Sequence, residues 1–516
     1  LRNYINRLYA MMMSRHIVAA LMVALWTPPW RSAVIVISRG SGDPSCVKKP
    51  SRPPDYSARH DPVWQKTRKY CVLMKFDIVL RNYINRLYAM MMSRHIVAAL
   101  MVALFPSLAH AAVDSGDTAW ILTSTALVLF MTLPGLALFY AGLVQPRNVV
   151  SVLMHHFALA CVCSVTWVIA GYSLAFSGDG GGWVGGLGNV MMGAITLDSE
   201  VGTIPESVFA VFQMTFAVIT PALIIGAYVE RMNFAAVLGF SILWLLVVYA
   251  PVTNWVWGGG IMAGWGVMDF AGGIVVHATA GTAALVAAIV VGKRRSFPSS
   301  VQPPHSPILT MIGACMLWVG WFGFNGGSAL AAGQNAAMAL LVTHISAAVA
   351  SLVWMIIEWR KFGRPSVVGI ATGMVAGLAT VTPASGFIGV PGGIILGLAG
   401  GYICYVAVDL IRGKLGIDDS LDVFAVHGVG GVLGALLVAV LATDAFFGMG
   451  LAEGITVGGQ LLVQAKSILI TVIWTAVASF IILKIAAVAV GLRVNDDAEQ
   501  EGLDLSQHGE RGYHSS

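Results

Sequence analysis

Two histidines share a spacing that could do chemistry. Asp269, His277 and Gly281 are repeated as Asp419, His427 and Gly431, eight residues and then four. At about 1.5 Å per residue, His277 lies roughly 12 Å beyond Asp269, near the middle of a hydrocarbon layer about 30 Å thick. Hydrocarbon offers a polar ring no hydrogen-bond partner, so a histidine kept at that depth is a functional candidate. A neutral imidazole has one donor and one acceptor. A facing pair can therefore pass a proton, or hold a polar neutral solute, without bearing charge. A metal site is the rival reading, and no Cys or carboxylate partner at membrane depth supports it.

Other residues could meet a cation. In Trp255-Val256-Trp257-Gly258-Gly259-Gly260 an indole face attracts a cation by about 0.5–2 kcal/mol. The bland reading is a pair of interfacial belt tryptophans, and Trp255 is kept there. Phe212 and Phe216, four apart, share one helix face, which is usually ordinary core. Ser328, closing Phe324-Asn325-Gly326-Gly327-Ser328, has a helix-end hydroxyl that can satisfy its own backbone. Asp269 can cap the helix it begins. Asp419, with Asp418 and Asp422, falls in a connection between spans and is expected to be solvated. His155, His156 and His344 are expected to be satisfied by neighbours, and Cys161, Cys163, Cys315 and Cys404 to be packed thiols.

The elements that position these residues are membrane helices. The 516 residues are 57% hydrophobic and only 11% charged, with mean hydropathy +0.79, too apolar for a soluble domain of this length. The net charge of +5 is small and falls between spans, so it orients the chain and gives no nucleic-acid affinity. Apolar runs occur near 120–144, 150–175, 206–228, 234–252, 268–291, 306–324, 335–357, 366–383, 391–411, 423–442 and 465–489. The expected fold is an all-α polytopic membrane protein with eleven transmembrane helices. Lys and Arg occupy alternate connections, and 177–204, 253–267, 325–334, 384–390 and 443–463 contain none. The positive-inside rule then puts the mature N-terminus outside and the C-terminus in the cytoplasm.

The Asp-His-Gly echo falls in spans five and ten, and Phe139-Tyr140-Ala141-Gly142 in span one has a counterpart in Phe324-Asn325-Gly326-Gly327 in span six. Two inverted five-helix repeats plus a final helix are expected, with the site at the repeat interface and the two histidines facing each other.

The first hundred residues differ. Residues 1–25 recur unchanged at 80–104, and verbatim identity points to a recent duplication or an upstream start. Residues 1–89 are expected to have no part in function. From Met90, Met91 or Met92, Arg94 and His95 begin a signal peptide over 90–111 that ends in Ala109-His110-Ala111. The membrane domain then covers 112–492, and a cytoplasmic tail 493–516.

From about Trp120 to the C-terminus the chain resembles the ammonium transporter family (Amt/Mep/Rh), in its bacterial form, on Asp269-Phe270-Ala271-Gly272-Gly273 closing with Gly292 and Arg294 and on several separate segments. The resemblance implies a function: ammonium, or its analogue methylammonium, is recruited at the periplasmic face by Trp257, Phe216 and Ser328. The stacked rings of Phe216 and Phe324 gate the pore, and His277 and His427 line it. It makes Asp269 a fixed charge shaping the recruitment site, with Phe212, Tyr249, Asn325 and Thr382 in support. It further implies a homotrimer in the bilayer of the inner membrane, no cofactor, and a tail that couples pores and responds to a PII-type regulator. A sensor on the same scaffold is the alternative, and it would need an output module for which the short tail leaves no room. An enzyme is not expected, since no nucleophile stands beside a base.

Overall fold

The computed structural model describes residues 80–86, 88–92, 113–178 and 180–513. The chain divides into two compact units, Leu1–Leu108 and Ala109–Ser516. In the first, the described residues are helical. The expected signal peptide falls outside the described residues except at 90–92.

The described residues of the second unit are mainly helical, with a small hairpin of two two-residue strands, β1 (Glu200–Val201) and β2 (Ile204–Pro205). Its helices in chain order are α1 (Ser115–Leu143), α2 (Pro146–Phe176), α3 (Glu206–Tyr228), α4 (Phe234–Gly264), α5 (Gly273–Val291), α6 (Pro307–Gly327) and α7 (Gln334–Phe362). Then follow α8 (Val367–Val381), α9 (Val390–Lys414), α10 (Phe424–Leu441) and α11 (Val457–Val490). The short helices α12 (Asp496–Glu501) and α13 (Leu503–His508) close the chain. Polar caps start several apolar runs. Asp114 accepts from the Gly116 and Asp117 amides, and Ser306, Ser366 and Thr456 cap α6, α8 and α11.

Among the described residues, ten helices are long and apolar enough to cross a membrane. The eighth expected span, 366–383, is α8, which has 15 residues and a length of about 22 Å. Pro383 follows it and has no N–H to extend the ladder. Packing places α1 on α6, α5 on α10, and α3 on α5, while α7, α8 and α9 gather together and α11 runs along α4, α5 and α10. The central pairs thus include the elements that carry Phe324, His277 and His427.

Candidate functional site: paired imidazoles between two cavities

The start of α5 is built by Asp269. Its carboxylate accepts from the backbone amides of Gly272 (3.1 Å), Gly273 (2.6 Å), Ile274 (2.8 Å) and Val275 (3.0 Å). These would otherwise be orphan donors at a buried helix end. Gly272, at φ +109°, supplies the left-handed turn that only glycine adopts readily. The first turn of α5, Gly273–Ala278, is a π turn, and so is that of α10, Phe424–Gly428. Each carries its histidine, and π turns are enriched at functional sites. Asp419 plays the capping part in α10, accepting from the Phe424 amide at 2.7 Å.

The two turns bring the histidines together. Their Nδ1 atoms are 3.3 Å apart and their rings lie nearly parallel, 5.2 Å between centroids. One Nδ1 must donate and the other accept, so the accepting ring at least is neutral. The helices come close enough because glycines meet at the crossing. A methyl group at Gly281 would overlap the Gly428 backbone, and one at Gly431 would stand 2.6 Å from both the Gly273 carbonyl oxygen and the His277 Cβ. His277 also stacks on Trp321 at 5.5 Å. The Trp321 indole donates to Thr382 Oγ1 at 2.9 Å, and the Asn325 amide donates to Thr343 at 2.8 Å. Thr382 Oγ1 in turn donates to Asn325 Oδ1 at 3.3 Å, so Asn325 is tied to Trp321 through Thr382.

Three cavities are connected through touching or shared side chains, and are called outer, central and inner after the orientation expected from the basic connections. The outer one, about 280 Å³, is lined by Gln213, Phe216, Trp257, Phe270 and Ser328 among others. Phe216 in its wall stacks on Phe324 at 4.3 Å. Beyond them a void of about 10 Å³ is lined by Phe324, Trp321, both histidines and aliphatic side chains. That is room for about one water-sized solute. An inner cavity of about 120 Å³ shares Phe139, Val375 and His427 with this void and reaches Arg412 and Asp422.

In the outer cavity, Ser328 Oγ donates to the Phe324 carbonyl at 2.8 Å, which leaves its lone pairs for a donor. The Trp257 indole N–H donates to the Asp269 carbonyl at 2.8 Å, so the π system is what Trp257 has left to offer. Gln213 Oε1 is buried without a protein partner. Among the described residues, no three His, Cys, Asp or Glu side chains come together as a metal would require.

A family model described as Ammonium Transporter Family matches residues 119–513. The chain belongs to that family. It is 42% identical to an ammonium transporter of Aquifex aeolicus, covering 80% of this chain and 98% of that protein. It is 44% identical to ammonium transporter Amt1 of Archaeoglobus fulgidus, covering 78% and 100%. Among solved structures it resembles Saccharomyces cerevisiae Mep2, with TM-score 0.69, 33% identity, and 75% and 90% of the two chains covered. A structure described as "Sensor Amt Protein" gives TM-score 0.72 and 29% identity, covering 76% of this chain and 98% of that one.

Among the sequence expectations for this family member, those for Asp418, Asp419, Trp255, Cys161, Cys315, His155 and His344 need correcting. Asp418 and Asp419 are buried, 1% and 0% exposed. Asp418 is tied to Arg294 at 2.7 Å, and Asp419 keeps one oxygen, Oδ1, without a partner. Burial and the neighbouring Asp422 charge push Asp419 up to about 7. Trp255 is buried with its indole N–H on the Trp183 carbonyl, so it is no belt residue. Cys161 and Cys315 are exposed on the surface of the chain, whereas Cys163 and Cys404 are packed. His156 bonds the Val152 carbonyl, but neither ring nitrogen of His155 has a partner. His344 lies exposed beside Trp318 and Phe322. Phe212 packs edge-on against Phe216. Tyr249 packs against Trp167 and lines none of the three cavities.

Sequence reasoning missed Trp321, Gln213 and the amide pair Gln460 and Gln464. The last two had a signal, two amides four apart inside an apolar run.

Proposed function

We propose that this protein recruits ammonium in its outer cavity, strips it of a proton at the Phe216–Phe324 stack, and conducts ammonia past His277 and His427 to the cytoplasm. The observation that carries the reading is the void between two larger cavities, apolar except for the two imidazoles. A pore that stabilised charge would admit potassium as readily as ammonium. An apolar constriction penalises both ions, and only ammonium can shed a proton when desolvation disfavours its charge. Trp257, Phe216, Ser328 and Gln213 present a π face, a hydroxyl and an amide oxygen to the cation before that step. The histidine pair, one ring donating to the other, offers the proton a path apart from the neutral solute.

The wider reading follows from the same frame. The matched turns of α5 and α10, and the reciprocal contacts of Gly281 and Gly431, support two inverted five-helix repeats, with α11 as the final helix and the short α8 counted as the eighth of eleven spans. The alternating basic connections support a mature N-terminus outside the inner membrane and a cytoplasmic tail. Residues 1–89 play no part in transport, 90–111 is a signal peptide, and the protein works as a homotrimer answering to a PII-type regulator. A sensor role on the same scaffold is the second reading, favoured by the likeness to the solved sensor Amt protein.

Methylammonium flux and current in proteoliposomes, with potassium as competitor, separate these readings. Wild-type protein should carry flux that potassium does not inhibit, and His277→Ala should abolish the flux or its selectivity while still inserting. Unaltered flux and selectivity in the variant would remove the histidines from the mechanism. An inserted wild type without flux would favour the sensor.

A further inference from the structure

The residue before Asp269 is held by an unusual clamp. Gln464, fully buried on α11, accepts from the Met268 amide at 2.8 Å and donates to the Met268 carbonyl at 2.8 Å. One side-chain amide therefore satisfies both backbone groups of a single residue, as a neighbouring strand would. The same Nε2 donates to the Ala435 carbonyl of α10 at 2.7 Å. One turn earlier, Gln460 donates to the Gly266 carbonyl at 3.0 Å and to Gln464 Oε1 at 3.2 Å. Buried amides in a membrane helix are costly unless every group is paired, and each polar atom of Gln464 has a partner.

What the clamp holds is one residue from the recruitment site. Asp269 follows Met268, and its carbonyl is the acceptor that fixes the Trp257 indole. Asp269 also lies at the head of α5, while Ala435 lies on α10, two turns past His427. We propose that Gln464 is a positioning residue for cation recruitment: through Met268 and the Asp269 carbonyl it fixes Trp257 in the outer cavity and ties that cavity to the helix of the second histidine. The proposal rests on the recruitment reading given above. It requires no contact between Gln464 and the substrate. Its effect is on how often Trp257 presents the binding geometry, because loosening a support by a fraction of an ångström is enough to weaken a site.

Methylammonium uptake by the full chain in proteoliposomes, measured across substrate concentration and normalised to inserted protein, tests this. Gln464→Leu should raise the half-saturation concentration about threefold or more with the maximal rate changed by less than about twofold. Trp257→Leu should raise it as well. In the double variant the Gln464 change should add nothing, because the tryptophan through which it acts is gone. If Gln464→Leu fails to insert, Gln464→Glu keeps the length and the acceptance from Met268, and as the neutral acid can donate to only one of the two carbonyls, so it should show the same shift at smaller size. A fall in maximal rate with unchanged half-saturation, or effects of the two single changes that simply multiply, would overturn the positioning role. A Trp257→Leu variant with wild-type half-saturation would overturn the recruitment reading itself, and the role of Gln464 with it.

Discussion

Asp269 and Asp419 occupy matched positions and differ in how completely they are used. Asp269 spends both oxygens on four backbone amides, while Asp419 bonds through Oδ2 and leaves Oδ1 buried without a partner. The consequence is a pH dependence. Asp419 titrates at about 7 in the folded protein against an ordinary 3.8, so the folded state binds this proton more tightly than the unfolded chain. Its contribution to stability is present in full below the unfolded value, and is lost as pH rises through the folded one. Thermal melting of detergent-purified protein should therefore show stability falling between about pH 4 and pH 7, and Asp419→Asn, neutral throughout, should flatten that slope. Equal slopes in both proteins would place the proton elsewhere. The histidine pair was legible because its spacing repeats. Trp321 and Gln464 were not, because what identifies them is contact with atoms remote in the chain, a ring in one case and backbone groups in the other.

Helices were legible from hydropathy, and their internal irregularities were not. A π turn has the same apolar composition as the α-helix around it, so periodicity cannot mark Gly273–Ala278 or Phe424–Gly428. The acid and glycines ahead of the first turn were the available signal. The length of α8 escaped for a related reason, since Val381-Thr382-Pro383 continues an apolar run while the proline ends the helix. The crossing of α5 and α10 sets the distance between the imidazoles. A methyl group at Gly281 overlaps the Gly428 backbone, and backbone cannot rotate away as a side chain can. Gly281→Ala should force the helices apart, cost about 1–3 kcal/mol of stability, and suppress methylammonium flux by separating the two Nδ1 atoms. Flux per inserted molecule equal to wild type would show that the imidazole contact tolerates a wider crossing.

At the scale of the whole molecule, the tail hides its docking behind a polar composition. Residues 495–504, Asn-Asp-Asp-Ala-Glu-Gln-Glu-Gly-Leu-Asp, are mostly acidic and polar, yet Leu503 is 0% exposed and Asp504 2%. The tail is docked by polar contacts that join three connections. Arg493 pairs with Glu499 at 2.6 Å, and Glu499 accepts from the Arg295 amide at 2.9 Å. The Leu503 amide donates to Asn148 Oδ1 at 2.8 Å, and Asn148 Nδ2 donates to Glu230 at 3.0 Å. Glu230 in turn holds Arg294 at 2.8 Å, and Arg294 lines the inner cavity. Asn148 thus joins the tail directly to the Glu230–Arg294 pair at the inner cavity. Asn148→Ala leaves the buried Leu503 amide unpaired, at about 1–3 kcal/mol, and removes one of the bonds orienting Glu230. Limited proteolysis should cut the tail of this variant faster than that of the wild type, and methylammonium flux should change with it, because Arg294 loses part of its support. Faster cleavage with unchanged flux would confine the tail to a structural role. Equal cleavage in both proteins would mean that Leu503 and its apolar packing hold the tail without Asn148.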